Sequence, residues 1–297
     1  MRREFPIKGK RFLITGAARG IGAAVAKRLH QQGAQVSLVG LEVERLNAIV
    51  EELGSGAVCF DVDVSDKEQV NHAVEKTVEM FGGLDGVIAN AGMYHVSPLS
   101  DVPSSAIERT LNVNLFGVWN TLHASLPHIK KSKGYVLTIA SMAALSHGPL
   151  MGAYAASKAA VEALTDSLRI ELRGEGVGVG CAYFGAIDTD LVKGGKMHPA
   201  LAKMEEMIPK FIGNPAPLSE AVDVIETGIR KHSSRIWAPR WLAAVFLLRG
   251  VTQPILEWRL AQDYRTRDAM ALSYDKTKRG PEQDETLGVA LLATDKH

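Results

Sequence analysis

A regular alternation of short apolar runs with stretches of helical periodicity is the feature that most limits what this chain can fold into. Phe12-Leu13-Ile14 reads as a strand, and from Ile21 the apolar spacing turns helical, with Ile21, Val25 and Leu29 on one face and Gly33 as the stop. Gln35–Val39 is a second strand, Val43–Leu53 a helix and Ala57–Phe60 a third strand. Ser65-Asp66-Lys67-Glu68 reads as a capping box opening a helix to about Phe81, and Gly86–Ala89 is strand four. The rhythm continues through a helix over Ser104–Leu122, strand Gly134–Ile139, helix Tyr154–Arg173, strand Val177–Ala182, helix Ser219–Lys231 and a last strand Arg235–Ala238. Strands separated by helices of this length imply βαβ units: an α/β fold with a doubly wound parallel sheet of about seven strands and helices on both faces. Residues 1–240 form that single domain, and 241–297 form a C-terminal extension, first apolar and then polar.

At 297 residues, 46% hydrophobic and 23% charged, the chain can fill one large α/β core or two small ones. A formal net charge of +1 generates no field that would gather nucleic acid. The two cysteines, Cys59 and Cys181, form no CxxC pair and sit in strand-like runs; they read as buried free thiols in a reducing, cytoplasmic setting. Met1–Lys10 has no apolar stretch that would mark a signal peptide. The most apolar run, Trp241–Leu248, is far shorter than the ~20 residues a transmembrane helix needs. The nine histidines show no metal-ligand spacing; His95 and His147 follow strands four and five and are candidates for the rim of a pocket. Lys276–Thr286 is polar and expected to be mobile.

Thr15-Gly16-Ala17-Ala18-Arg19-Gly20-Ile21-Gly22 joins the first strand to the first helix. Glycines there permit a tight turn and close approach of a pyrophosphate, and the helix N-terminus offers free N–H groups to that anion. Asn90-Ala91-Gly92 follows strand four, Asn114 lies in Asn112-Val113-Asn114, and Ser141 ends strand five. Tyr154 comes thirteen residues after Ser141, and Lys158 four after that. Tyr154 and Lys158 at i, i+4 share a helix face. A phenol is a poor acid or base near neutrality, with a pKa of about 10, and an adjacent ammonium is expected to lower it.

Across residues 8–240 this set of elements resembles the single-domain branch of the short-chain dehydrogenase/reductase family, and the resemblance implies a Rossmann fold and hydride transfer between a nicotinamide cofactor and a carbonyl or alcohol carbon. It implies that Asn114, Ser141, Tyr154 and Lys158 are catalytic, with Ser141 holding the substrate oxygen near Tyr154, Asn114 anchoring a water that relays protons to Lys158, and Lys158 also holding the nicotinamide ribose. It assigns Gly16, Arg19, Gly20, Ile21 and Gly22 to the pyrophosphate loop, Asn90, Ala91 and Gly92 to the wall beside it, and Asp63 and Val64 to the adenine. Gly185, Ile187 and Thr189 lie where the family binds the nicotinamide amide, although Phe184 stands where the family usually has proline. At the end of strand two, Gly40 replaces the aspartate of NAD-preferring relatives and Leu41 the basic residue of NADP-preferring ones. Arg19 can pair with a 2′-phosphate, whereas Glu42 can bind a ribose hydroxyl and repel the phosphate. The balance tips to NADP(H) over NAD(H).

Asp190–Pro217 falls where the family carries a substrate lid. Leu201, Met204, Ile208, Phe211 and Ile212 recur there at helical spacing, either as packing on the body or as a cover for a lipophilic alcohol, ketone or aldehyde. Leu145, Leu150 and Met151 are expected to line the same cavity. In the extension, Trp241, Leu242, Val245, Phe246, Leu248, Val251, Ile255, Leu256 and Trp258 form an apolar surface. It suits packing on the body or on a second copy in a homodimer or homotetramer, membrane-surface docking, or a roof over the active site. A dinucleotide-sensing or scaffold protein of the same fold is the alternative to an enzyme, and an epimerase or dehydratase of the extended branch is a third reading. All four catalytic positions are occupied, which favours the enzyme.

Overall fold

The computed structural model describes residues 4–196, 198–208 and 213–274. Seven parallel strands, β1 Arg11–Thr15, β2 Gln35–Gly40, β3 Ala57–Asp61, β4 Gly86–Ala89, β5 Tyr135–Ile139, β6 Gly178–Phe184 and β7 Arg235–Ala238, form one sheet in the order β3-β2-β1-β4-β5-β6-β7. Helices α1 Gly20–Gln31, α2 Val43–Leu53, α3 Lys67–Phe81, α4 Ser104–Leu111, α5 Gly117–Ser132, α6 Gly152–Glu171, α7 Asp190–Lys196, α8 Pro199–Glu205 and α9 Leu218–Lys231 interleave with the strands. Two more, α10 Leu242–Gln262 and α11 Tyr264–Tyr274, make up the described part of the extension. No helix among the described residues is long and apolar enough to cross a membrane.

Side-chain alternation along each strand fills two cores. On β1, Phe12 and Ile14 enter a cluster with Val25 and Leu29 of α1 and Ile225 and Ile229 of α9. Leu13 points to the other face, among Val70 and Val74 of α3, Val118 and Leu122 of α5 and Val161 of α6. Both faces of a parallel sheet are thus covered, as its near-continuous apolar strands require.

Three local readings change. The cap of α3 is Asp66, whose carboxylate accepts the Gln69 N–H at 3.0 Å, so the box is displaced by one residue from Ser65. The Gln69 side chain reaches back to the Asp63 N–H at 3.0 Å. The helix expected over Ser104–Leu122 runs on to Ser132 and is interrupted by a π turn at Asn112–Phe116, which periodicity does not reveal. Cys181 is buried, but Cys59 is only half-buried at the outer strand, its thiol directed at Asn47 Oδ1 at 3.2 Å.

Candidate active site

Strands β1 and β4 are neighbours whose following chains leave in different directions, which opens a crevice at their C-terminal ends. The glycine loop lines it. Gly16 has φ +63°, and a Cβ on it would lie 2.8 Å from Ala91 Cα, so that position must be glycine. A Cβ on Gly22 would lie 2.3 Å from the Gly16 carbonyl oxygen. The loop is stitched to β4: Thr15 Oγ1 accepts the N–H groups of Asn90 and Ala91 at 3.0 and 3.1 Å, and Asn90 Nδ2 donates to the carbonyls of Thr15 and Gly16 at 3.0 and 3.1 Å. Arg19 precedes α1 without capping it through its side chain, which leaves the first N–H groups of the helix for an anion.

The resulting cleft, about 200 Å³, is bordered by Gly16, Arg19, Gly20, Ile21, Leu41 and Glu42 from the first two βα turns. Asp63, Val64, Asn90, Ala91, Gly92 and Thr189 also border it, whereas Gly22, Tyr154 and Lys158, expected at the cofactor as well, do not. Gly185 and Ile187 do not reach it: the Gly185 N–H donates to Ala238 O at 2.9 Å, and Ile187 is buried in a bridge to Ala216. They hold the strand end that presents Thr189. Phe184 is likewise in the core.

At the far end of the cleft the charges are arranged in a way the sequence did not disclose. Glu42 lies between two guanidinium groups, with Oε1 3.0 Å from Arg19 Nε and Oε2 3.2 Å from Arg45 Nε. Arg45 also approaches Asp190 at the start of α7, at 3.8 Å. Arg19 Nη1 is buried with no hydrogen-bond partner among the described residues, and burial lowers the Arg19 pKa. A buried guanidinium donor beside a glycine cradle fits an anionic dinucleotide. Arg45 was missed because only its i, i+3 spacing from Glu42 on α2 hinted at it.

The four catalytic candidates converge where β4, β5 and β6 end. Asn114 sits in the π turn; its Oδ1 accepts the Met93 N–H at 2.8 Å, and its Nδ2 donates to Met93 O at 2.8 Å and Ser157 Oγ at 3.0 Å. Lys158 Nζ donates to Ile139 O at 2.8 Å. Both groups flank Gly92, where a Cβ would come within 3.3 Å of Lys158 Nζ and 3.4 Å of Asn114 Oδ1. Ser141 Oγ accepts the Ala143 N–H at 3.1 Å, and its one hydroxyl proton is shared between Phe184 O, at 3.4 Å, and the neighbouring Tyr154 phenol.

The expected lowering of the Tyr154 pKa by Lys158 is not what the structure gives. Burial raises the phenol above its ordinary range, and the bond from Ser141 only opposes that rise. Lys158 Nζ lies 5.8 Å from the Tyr154 ring centre, and burial pulls its own pKa down to about 8, so the ammonium is itself weakened.

Beside Tyr154 lies a residue the motifs did not flag. Tyr94 meets its ring edge-on at 6.0 Å and donates its hydroxyl to Leu191 O on α7 at 2.9 Å. Leu150, Met151, Leu191, Leu201 and Met204 close an apolar cluster around this pair. Leu150 has a left-handed φ of +71°, and its carbonyl accepts the Ser97 N–H at 2.9 Å; local strain of this kind gathers at functional clefts. Leu145 instead packs beneath α10 with Cys181 and Tyr183. His147 also faces α10, its backbone N–H and carbonyl paired with the Gln253 side chain, and neither it nor His95 borders the dinucleotide cleft. Ile208 is more exposed than Leu201 or Met204, and Phe211 and Ile212 lie outside the described residues.

The sequence profile of the short chain dehydrogenases matches residues 10–198. An 11-beta-hydroxysteroid dehydrogenase 1A of Arabidopsis thaliana is 30% identical over 273 residues, covering 89% of this chain and 78% of that protein. The chain superposes with a TM-score of 0.71 on a short chain dehydrogenase from Burkholderia cenocepacia in complex with NADP, at 30% identity, covering 78% of this chain and 97% of the other. A Burkholderia phymatum structure in complex with NAD gives a TM-score of 0.73 at 24% identity, covering 81% and 93%, and supports the fold alone.

Proposed function

The chain belongs to the short-chain dehydrogenase family, and from that membership we propose an NADP(H)-preferring oxidoreductase of lipophilic alcohols, ketones or aldehydes. A nicotinamide-dependent enzyme acting on CH–OH and C=O groups is the family's general activity. The observation that carries the reading further is the convergence of Ser141, Tyr154, Lys158 and Asn114 near a glycine-lined cleft bordered by Arg19 and Glu42, with Arg45 paired to Glu42 behind it.

The dinucleotide, when bound, supplies or takes up the hydride. The free N–H groups at the start of α1 receive the pyrophosphate, and Asp63 and Val64 wall the adenine. Arg19 and Arg45, now paired to Glu42, would hold a 2′-phosphate in its place, and Thr189 would hold the carboxamide. Lys158 holds the nicotinamide ribose. Ser141 donates a hydrogen bond to the substrate oxygen and fixes it at the Tyr154 hydroxyl. The Tyr154 phenol carries the proton that the oxygen of a carbonyl being reduced takes up; burial raises its pKa and so makes it a weaker acid, which the Ser141 hydroxyl opposes. Lys158 replenishes that proton through a water anchored near Asn114. The apolar wall of Leu150, Met151, Leu201 and Met204 accepts the rest of the substrate. The steroid named for the Arabidopsis relative is a substrate of that apolar class. Free thiols at Cys59 and Cys181 agree with work in the reducing cytoplasm, and the bare face of α10 agrees with a homo-oligomer.

Tyr154→Phe removes the proton donor without touching the dinucleotide cleft. Turnover of an apolar ketone, followed by NADPH absorbance, should fall by about 10²–10⁴-fold while NADPH binding by fluorescence stays within about twofold. Near-normal kcat in Tyr154→Phe would overturn the mechanism.

A further inference from the structure

We propose that Tyr94 is a positioning residue that ties the α7 border of the dinucleotide cleft to the catalytic phenol, its hydroxyl holding α7 and its ring holding Tyr154 in place. The inference rests on the oxidoreductase reading above and adds to it a residue that takes no part in the chemistry itself.

The segment that carries Tyr94 is pinned at both ends. On one side Met93, which borders the dinucleotide cleft, has its N–H and its carbonyl each held by the Asn114 side chain at 2.8 Å. On the other, the Ser97 N–H donates to Leu150 O at 2.9 Å, just ahead of the helix α6 that carries Tyr154 and Lys158. Tyr94, between these fastenings, is only 6% exposed.

From that fixed base the side chain reaches two elements. Its hydroxyl donates to Leu191 O on α7 at 2.9 Å. Leu191 is the joint, because it borders the dinucleotide cleft and also packs in the apolar cluster of Tyr94 and Tyr154. The ion pairs at this end of α7 are of another kind. Arg45 with Asp190 at 3.8 Å and Lys193 with Asp188 at 3.1 Å join side chains that are all more than half exposed. Pairs in that setting contribute little and are screened by salt, whereas the bond from Tyr94 is sheltered. Burial, with Tyr154 close by, pushes the Tyr94 pKa up to about 12, so the hydroxyl remains a donor through neutral and moderately alkaline pH.

The ring serves the second contact. Its centre lies 6.0 Å from that of Tyr154 with the planes at 72°, the edge-to-face arrangement that aromatic pairs favour. Ser141 and the helix backbone hold Tyr154 at its two ends, and the Tyr94 ring limits the swing of the phenol between them. Placement matters there, since a shift of about 1 Å at a reacting group costs on the order of a hundredfold in rate. One side chain thus sets both the α7 border of the cleft and the phenol, and so fixes the distance between them.

The test separates the hydroxyl from the ring with Tyr94→Phe and Tyr94→Leu. Stopped-flow release of NADPH, read by nicotinamide fluorescence, should be about five- to tenfold faster in both variants, equally at low and high salt. The single-turnover rate of an apolar ketone should fall about tenfold or more in Tyr94→Leu, and Tyr94→Phe, which keeps the ring, should recover most of that loss. Amide hydrogen exchange without cofactor should be faster across α7 in Tyr94→Phe and unchanged in β1 and β4, which separates a freed α7 from a loosened fold. An unchanged NADPH release rate in Tyr94→Phe, or equal single-turnover rates in Tyr94→Leu and the parent, overturns the assignment. So does a Tyr94→Phe variant that loses as much single-turnover rate as Tyr94→Leu. Should the parent bind no NADPH or reduce no ketone, the oxidoreductase reading fails by itself. Hydrogen exchange then decides the tie: faster exchange across α7 in Tyr94→Phe supports it, and an unchanged rate overturns it.

Discussion

Tyr154 and Lys158 are legible from sequence because their partnership is local, four residues apart on one helix. The same is true of the glycine loop, whose close approaches at Gly16 and Gly22 demand that residue type. Arg45 and Tyr94 are not legible in this way. Each becomes a site residue through a contact that only the fold creates, such as Tyr94 with Leu191 or Arg45 with Asp190. Environment also escapes a sequence: the Lys158 ammonium was expected to set the Tyr154 pKa, but burial acts on both groups and dominates. Cofactor choice is decided at this scale too. If Arg19 grips a 2′-phosphate, Arg19→Ala forfeits a charge-assisted contact worth roughly 1.5–3 kcal/mol, about ten- to a hundredfold in NADPH affinity. NADH affinity should change far less, and Glu42→Gln should strengthen NADPH by freeing both guanidinium groups. Titration of each cofactor by nicotinamide fluorescence checks this. Equal losses for both cofactors in Arg19→Ala would place the arginine at the shared pyrophosphate.

Among the elements, the regular ones follow from their patterns almost residue for residue, as with Val43–Leu53 and Arg235–Ala238. The departures occur where backbone hydrogen bonding changes without a change in apolar spacing. The π turn at Asn112–Phe116 inserts extra chain into an otherwise continuous amphipathic helix, and it is there that Asn114 is turned toward Met93 and Ser157. The start of α3 is similar: Ser65 and Asp66 are both good caps, and only geometry chooses between them. Asp66 accepts the Gln69 N–H, whereas the Ser65 hydroxyl goes to Asp63 Oδ1 at 2.7 Å. Asp66→Ala should therefore lower Tm by about 2–4 °C for a domain of this size, and Ser65→Ala markedly less. Thermal unfolding of both variants reads the difference, and a larger effect at Ser65 would return the cap to that residue.

For the whole molecule, strand–helix alternation implied a doubly wound parallel sheet, and the sheet order puts the cleft at the β1/β4 switch. The path of the extension was not implied, because α11 meets α8 across some sixty residues of chain and no periodicity records which surface a helix will find. One part of that extension has no packing partner among the described residues. Leu247, Leu248, Val251, Ile255 and Trp258 of α10 are 78%, 55%, 62%, 57% and 63% exposed, and their spacing puts them on one side of the helix. A stripe of this kind amounts to several hundred Å², which monomers seldom leave in water. Two copies pairing through it would bury on the order of 1,000 Å², enough for a specific interface. The face that pairs would then be the outer side of the helix whose inner side grips Glu162, so self-association would brace the catalytic helix. Light scattering should give the parent a mass that is a multiple of the 32.0 kDa chain, and Leu247→Glu with Ile255→Glu should bring it to that of one chain. A parent that runs as one chain and co-sediments with lipid vesicles would assign the stripe to a membrane surface, and an unchanged oligomer in the double variant would place the contact elsewhere on the molecule.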